Sequence, residues 1–191
     1  QRFVVFALSA EGQRVVESAG FVAQQVRAYR ADVRGDAPAE YRELVQDAER
    51  LSVNFRFSSG HSLLDGKALR DIDRLAEFMR RPENRERSLM LLGFADSSEA
   101  GAYHALTLSN DRVDFIAQRL QSVGLAPSRL RGMGGSAPIA SNESAAGRHR
   151  NRRVEVWLGA PAERPRVTAG GGRRCASRVS PPWSAGVLPD R

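Results

Sequence analysis

Apolar and polar positions alternate through residues 53–57, where Val53, Phe55 and Phe57 are separated by Asn54 and Arg56. Period 2 is the mark of a strand with one buried face. After a Ser-Ser-Gly turn the period changes: Leu69, Ile72, Leu75, Ala76 and Met79 recur at helical spacing, and Pro82 stops that helix. Residues 88–94 (SLMLLGF) are continuously apolar, as expected of a central strand buried on both faces. A polar loop from 95 to about 102 leads into a long helix around 108–123, with Val113, Ile116, Ala117 and Leu120 facing inward and Gly124 closing it. Residues 130–133 and 154–158 are two further short strands, divided by a loop rich in Gly, Ser and Asn. The order strand, helix, strand, helix, strand, strand predicts an α+β domain, a two-layer βαβαββ sandwich. Its sheet is mixed, with the helices on one face, and the two helical crossovers favour parallel pairing.

The flanks differ. In residues 1–24 an apolar run, Phe3 through Leu8, precedes Ser9, a candidate N-cap for a short helix that Gly20 ends. Residues 25–52 turn polar, with a helix-compatible stretch AEYRELVQDAERL in which Tyr41, Leu44, Val45 and Ala48 share a stripe. That region reads as linker and connecting helix, or equally as a first helix packed on the domain. Residues 159–191 are dominated by Pro, Gly, Ser and Arg with no apolar periodicity, so burial there does not offset an ordering entropy of about 1–2 kcal/mol per residue. A disordered tail is expected.

Composition narrows the function classes. The 191 residues carry a formal charge of +7, which raises the question of nucleic acid. Residues 160–191, however, hold six arginines against Glu163 and Asp190, more than half of that excess. Elsewhere Asp71, Asp73, Arg74, Glu77, Arg80 and Arg81 interleave as on a solvated helix face, so nucleic acid is not an expected partner. Cys175 is the single cysteine and permits no internal disulfide. No apolar run reaches the roughly 18 residues of a membrane span. The start lacks Met and the charged-then-apolar order of a secretory signal, so either the beginning is missing or the protein is cytosolic. His61, His104 and His149 are scattered, and neither HExxH nor CxxC spacing occurs. Ser62 and Ser109 have no partner implied by sequence, so no catalytic residue, metal or cofactor is expected. Gly132, Gly134 and Gly135 lack the following helix that phosphate cradling needs.

Three motifs carry a resemblance. GRHRNRRVEVWL (147–158) is similar to the "GR-x-x-NRRVE" ending of OmpA-like domains. LLGFADSS (91–98), followed by AYHALTLSNDRVDFIAQRL (102–120), resembles that family's "GHTD-x-x-G" loop and "YN-x-x-LS-x-x-RA-x-x-V-x-x-x-L" helix. RLRGMGGSAPIASN (129–142) resembles its "RI-x-x-x-GxGxxxPIAxN" turn. Together they identify residues 53–158 as an OmpA-like C-terminal domain. Residues 1–24 separately resemble the last helices of periplasmic phosphate-binding proteins, which implies the rear end of a longer, truncated receptor-like region.

The OmpA-like resemblance implies non-catalytic, non-covalent binding of the peptidoglycan stem peptide, in a periplasmic protein associated with the cell wall or outer membrane of a Gram-negative cell. Diaminopimelate presents an ammonium and a carboxylate on one carbon. By the resemblance Asp96 receives the ammonium and Arg112 the carboxylate, Arg152 adds a second cation, and Ser98 and His104 lie beside them. Arg153 and Glu155, out of phase with Arg152, face away as structural residues. The family's "GHTD" is here Gly93, Phe94, Ala95 and Asp96, its helix-start Asn falls at His104, and one extra residue separates Asp96 from Arg112. That insertion implies a bulge in the loop or an altered helix start. Rival readings are a wall-anchored fragment of a phosphate-binding receptor and a protein-interaction scaffold without peptidoglycan affinity.

Overall fold

A computed structural model of the chain describes residues 2–21, 24–60, 66–99 and 101–161. At the N-terminus lie α1 (Arg2–Leu8) and α2 (Ala10–Ser18). Ser9 caps α2 by accepting from the Gly12 N–H, and Gly20 follows at φ +83°, so both ends of the predicted helix are realised. The domain follows as β1 (Ala28–Tyr29), α3 (Ala39–Val45), β2 (Glu49–Arg56), α4 (Gly66–Arg80), β3 (Arg87–Phe94), α5 (Gly101–Ser122), β4 (Arg129–Gly132), α6 (Ala145–Asn151) and β5 (Arg153–Pro161). Of the tail expected over 159–191, residues 159–161 instead complete β5, where Pro161 pairs with Arg87; the rest, with Cys175, lies outside the described residues, as do His61 and Ser62.

The five strands form one mixed sheet in the order β1-β2-β5-β3-β4. The α+β class and the mixed sheet are as expected. Only the second crossover joins directly paired parallel strands, β3 and β4. Across the first, β5 inserts between β2 and β3, antiparallel to both. The sequence of β5 suits that central place: Val154, Val156 and Leu158 are fully buried on one face and Glu155 and Trp157 on the other.

Alternation sorts the sheet into two cores. Leu51, Val53 and Phe55 of β2, Leu89 and Leu91 of β3, and Val154, Val156 and Leu158 of β5 pack with Ile72, Leu75 and Met79 of α4 and Val113, Ile116 and Leu120 of α5. Both long helices therefore cover one face. Burying each such aliphatic or aromatic side chain contributes roughly 1.5–3 kcal/mol, so this layer dominates stability. On the other face Met90, Leu92, Phe94 and Trp157 pack with Tyr41 and Val45 of α3. The helix within 25–52 is thus packed on the domain.

One expected element changes character. AEYRELVQDAERL reads as helical throughout, yet α3 stops at Val45 and Glu49 begins a strand. Leu51 is fully buried in line with Val53 and Phe55, and the charges around it find partners across the sheet, Glu49 on Arg87 and Arg50 on Glu155. Tertiary pairing overrides the local helical stripe.

Candidate functional site

The carboxyl end of β3 is where motif residues meet. Gly93 lies so near α5 that a Cβ there would collide with the Ser109 carbonyl. Ser109, itself buried, accepts from the Gly134 N–H at 3.0 Å, while Asn110 accepts from the Gly132 N–H at 2.8 Å. The Ala95 N–H donates to the Gly134 carbonyl at 2.8 Å, and Gly134 supplies the positive φ of +56° that the turn requires. Helix, β3 loop and post-β4 turn are thereby locked around one spot.

Four charged side chains gather there, all buried: Arg112 is 0 % exposed, Asp96 1 %, Glu99 7 % and Arg152 9 %. Asp96 accepts from the Ser98 N–H at 2.7 Å, from the Ser98 hydroxyl at 2.5 Å and from Arg152 Nη1 at 2.5 Å. Burial pushes the Asp96 pKa up, but the hydrogen bonds from Ser98 and Arg152 outweigh it and hold the carboxyl below its usual range. Arg152 also donates to the Phe57 carbonyl at 3.1 Å. Arg112 makes a two-pronged contact with Glu99, Nη1 to Oε2 at 2.9 Å and Nη2 to Oε1 at 2.6 Å. It donates further to the carbonyls of Phe94 and Ser58 and lies over the Phe57 ring.

The structure therefore brings Asp96, Ser98 and Arg152 into one hydrogen-bonded group. It places Arg112 alongside but pairs it with Glu99, a residue the sequence analysis did not single out. The signal was present: an acidic residue three positions after Asp96, in the segment where the extra residue falls. Because α5 runs unbroken from Gly101, that insertion lies ahead of the helix. Counting back from Ser109 along the helix then puts the family's Asn position at Ala105, which is buried, and leaves His104 one place earlier and exposed. Two open depressions flank the 96–99 turn. One of about 490 Å³ is lined by Asp96, Glu99, Leu106, Met133 and Gly134. The other, of about 440 Å³, is lined by Gly60, Ser98, Glu99, His104 and Asp111. Among the described residues no group of three or more His, Cys, Asp or Glu is placed to hold a metal ion.

Residues 56–152 match the model of the OmpA family. The chain belongs to the OmpA family. Its curated relatives include outer membrane porin F of Pseudomonas fluorescens, 34% identical over 121 residues, which are 62% of this chain and 36% of that protein. Another is the probable lipoprotein YiaD of Escherichia coli, 41% identical over 70 residues, 36% of this chain and 32% of that one. The chain thus spans about a third of the length of these relatives. Among solved structures, a putative MotB-like protein from Desulfovibrio vulgaris superimposes with a TM-score of 0.53 at 21% identity, covering 78% of this chain and 86% of that chain. The peptidoglycan-associated lipoprotein of Burkholderia pseudomallei gives 0.50 at 16% identity, covering 55% and 88%. These likenesses show the OmpA-like fold. The matched OmpA segment falls within the expected 53–158 and takes in Asp96, Glu99, Arg112 and Arg152. Of these four proteins one is named as an outer membrane porin and one as a peptidoglycan-associated lipoprotein, and none is named as an enzyme.

Proposed function

We propose that residues 53–158 attach their parent protein non-covalently, and without catalysis, to peptidoglycan, by gripping the zwitterionic carbon of diaminopimelate in the stem peptide. The observation that carries this reading is the buried cluster at the end of β3, in which the motif residues Asp96, Arg112 and Arg152 gather with Glu99, and whose two carboxylates, Asp96 and Glu99, line an open depression. A carboxylate offers about four acceptor sites, and Asp96 fills three with Ser98 and Arg152; an ammonium takes the fourth. The Arg112 fork suits a carboxylate, which it can hold by two parallel charge-assisted bonds, as it holds Glu99. Ser98 and Arg152 hold Asp96 ionised and aimed, and His104 is a rim donor. Membership of a family whose relatives include a peptidoglycan-associated lipoprotein supports the chemistry. The same membership supports a periplasmic, wall-associated or outer-membrane location in a Gram-negative cell. Among the described residues no helix is long and apolar enough to cross a membrane.

The test is co-sedimentation of the full chain with diaminopimelate-containing sacculi at two salt concentrations. Salt screens non-specific attraction by exposed arginines and leaves a buried pair almost untouched. Pelleting should persist at high salt, free meso-diaminopimelate should release the protein, and Asp96→Ala and Arg112→Ala should each abolish binding. Retained binding in both folded variants rejects the pocket. For residues 1–24 we keep the reading of a receptor-like tail end, supported by the residue pattern alone; an upstream reading frame encoding receptor lobes tests it.

A further inference from the structure

Glu99 sits in a receptor for a carboxylate. Both of its oxygens face the Arg112 fork, at 2.6 and 2.9 Å. Oε1 also accepts from the Gly60 N–H at 3.0 Å and Oε2 from the Asp96 N–H at 3.2 Å. Two guanidinium prongs and two backbone N–H groups, converging on one buried carboxylate, are the donor set a ligand carboxylate would need. The chain fills it with a side chain of its own, from a turn whose preceding residues Ser97 and Ser98 are exposed. Glu99 also borders both flanking depressions.

We propose that Glu99 is a specificity-determining residue, a resident stand-in for the ligand carboxylate that any ligand must displace from Arg112. This rests on the peptidoglycan reading of the same pocket. A ligand carboxylate that replaces Glu99 gains only the difference between two similar sets of hydrogen bonds, so the exchange is nearly neutral. The displaced Glu99 stands beside Asp96, and two carboxylates lining one depression disfavour any further anion. An ammonium on the same carbon offsets that charge. The closed pair therefore turns an otherwise indiscriminate carboxylate site into one selective for zwitterions. It also lowers the apparent affinity by the fraction of molecules in which Arg112 is open.

The test is calorimetric titration of the full chain, wild type and Glu99→Gln, with meso-diaminopimelate and with pimelate, which has the same carbon chain and carboxylates but no ammonium. Glutamine keeps the shape of Glu99 and removes its charge. Expected are an approximately tenfold tighter fit of meso-diaminopimelate to Glu99→Gln, and measurable pimelate binding by that variant alone. In the wild type the Gly60 and Asp96 amide resonances should shift as meso-diaminopimelate is added, because both exchange Glu99 for the ligand. If Glu99→Gln does not fold, Glu99→Asp carries the test: the shorter carboxylate does not span the fork, and binding should tighten by a smaller factor. Wild-type binding that depends on Arg112 but is equalled or weakened in the folded Glu99 variant overturns this proposal and leaves the peptidoglycan reading standing. Binding of meso-diaminopimelate by neither protein overturns both.

Discussion

Arg153 Nε donates to Glu155 Oε1 at 2.7 Å, two residues further along the same strand. Residues at i and i+2 share a strand face, and this face is the one that α3 seals. Glu155 Oε1 also pairs with Arg50 at 3.0 Å, while Oε2 accepts from the Tyr41 hydroxyl at 2.9 Å and the Trp157 indole N–H at 3.0 Å. The Arg153 guanidinium lies 3.9 Å from the Phe94 ring centroid. The second core is thus built around a polar centre that ties α3, β2, β3 and β5 together. Glu155→Ala leaves Arg153 buried without its carboxylate and should cost about 3–5 kcal/mol, measured by urea unfolding. Tyr41→Phe removes one bond to a charged group and should cost about 1.5–3 kcal/mol. A Glu155→Ala loss below that of Tyr41→Phe would contradict a central role for the carboxylate.

The same network sets a pH dependence. Burial pushes the Glu155 pKa up, but the guanidiniums of Arg153 and Arg50 and the hydrogen bonds from Arg153 and Tyr41 more than reverse this, leaving it lowered. Asp96 is lowered too. Each group binds its proton more readily in the unfolded chain, at about 3.9 for Asp and 4.3 for Glu. Their stabilisation is complete above that range and is lost as pH falls through the folded values. Urea midpoints should be flat from pH 7 to about pH 5 and then drop steeply towards pH 2. Asp96→Asn should flatten the drop without removing it, because Glu155 remains.

Two glycines let α5 lie against the sheet. A Cβ on Gly93 would meet the Ser109 carbonyl and the Val113 side chain, and one on Gly132 would meet the backbone N of Asn110 at 2.7 Å. Backbone does not yield as a flexible side-chain end does, so Gly93→Ala and Gly132→Ala should each cost about 1–3 kcal/mol or more by overpacking. Gly135→Ala, with open space around it, is the control and should be near neutral by thermal melting.

How far these features were legible in the sequence depends on whether the cause was local. The apolar run of β3, the Ser9 cap, the inward stripe of α5 and its stop at Gly124 follow from neighbouring residues alone. The insertion of β5 between β2 and β3 does not, because it reflects which strand best fills the centre of the sheet. Helix α6, capped by Ser144, was hidden in a segment whose Gly, Ser and Asn content reads as loop. At the site, Asp96 and Arg112 were legible through motifs, but which carboxylate each arginine would take was not. Asp96 and Glu99 are three residues apart, while Arg112 and Arg152 arrive from α5 and the end of α6, so only the tertiary arrangement assigns the pairs.

Asn151, the first residue of the NRRVE motif, organises the turn that follows β4. Its Oδ1 accepts from the N–H groups of Ile139 and Ala140 at 2.9 and 3.0 Å, and its Nδ2 donates to the Ala140 carbonyl and to Asn142 Oδ1 at 2.9 and 2.8 Å. At 1 % exposure these groups have no water to turn to if the side chain is lost. Asn151→Ala should therefore cost about 1–3 kcal/mol and remove hydrogen-exchange protection from the Ile139 and Ala140 amides. Asn151→Asp separates the two halves of the amide. A carboxylate keeps both accepted bonds but sets an acceptor against the Ala140 carbonyl and Asn142 Oδ1, contacts that favour its protonated form and raise its pKa in the folded state. Stability of this variant should then be lost as pH rises through that raised value, opposite in sign to the acid loss of the parent chain. Urea midpoints of Asn151→Asp should approach those of the parent near pH 4 and fall behind by pH 7, and a gap that does not change with pH would refute the assignment of Nδ2 as donor.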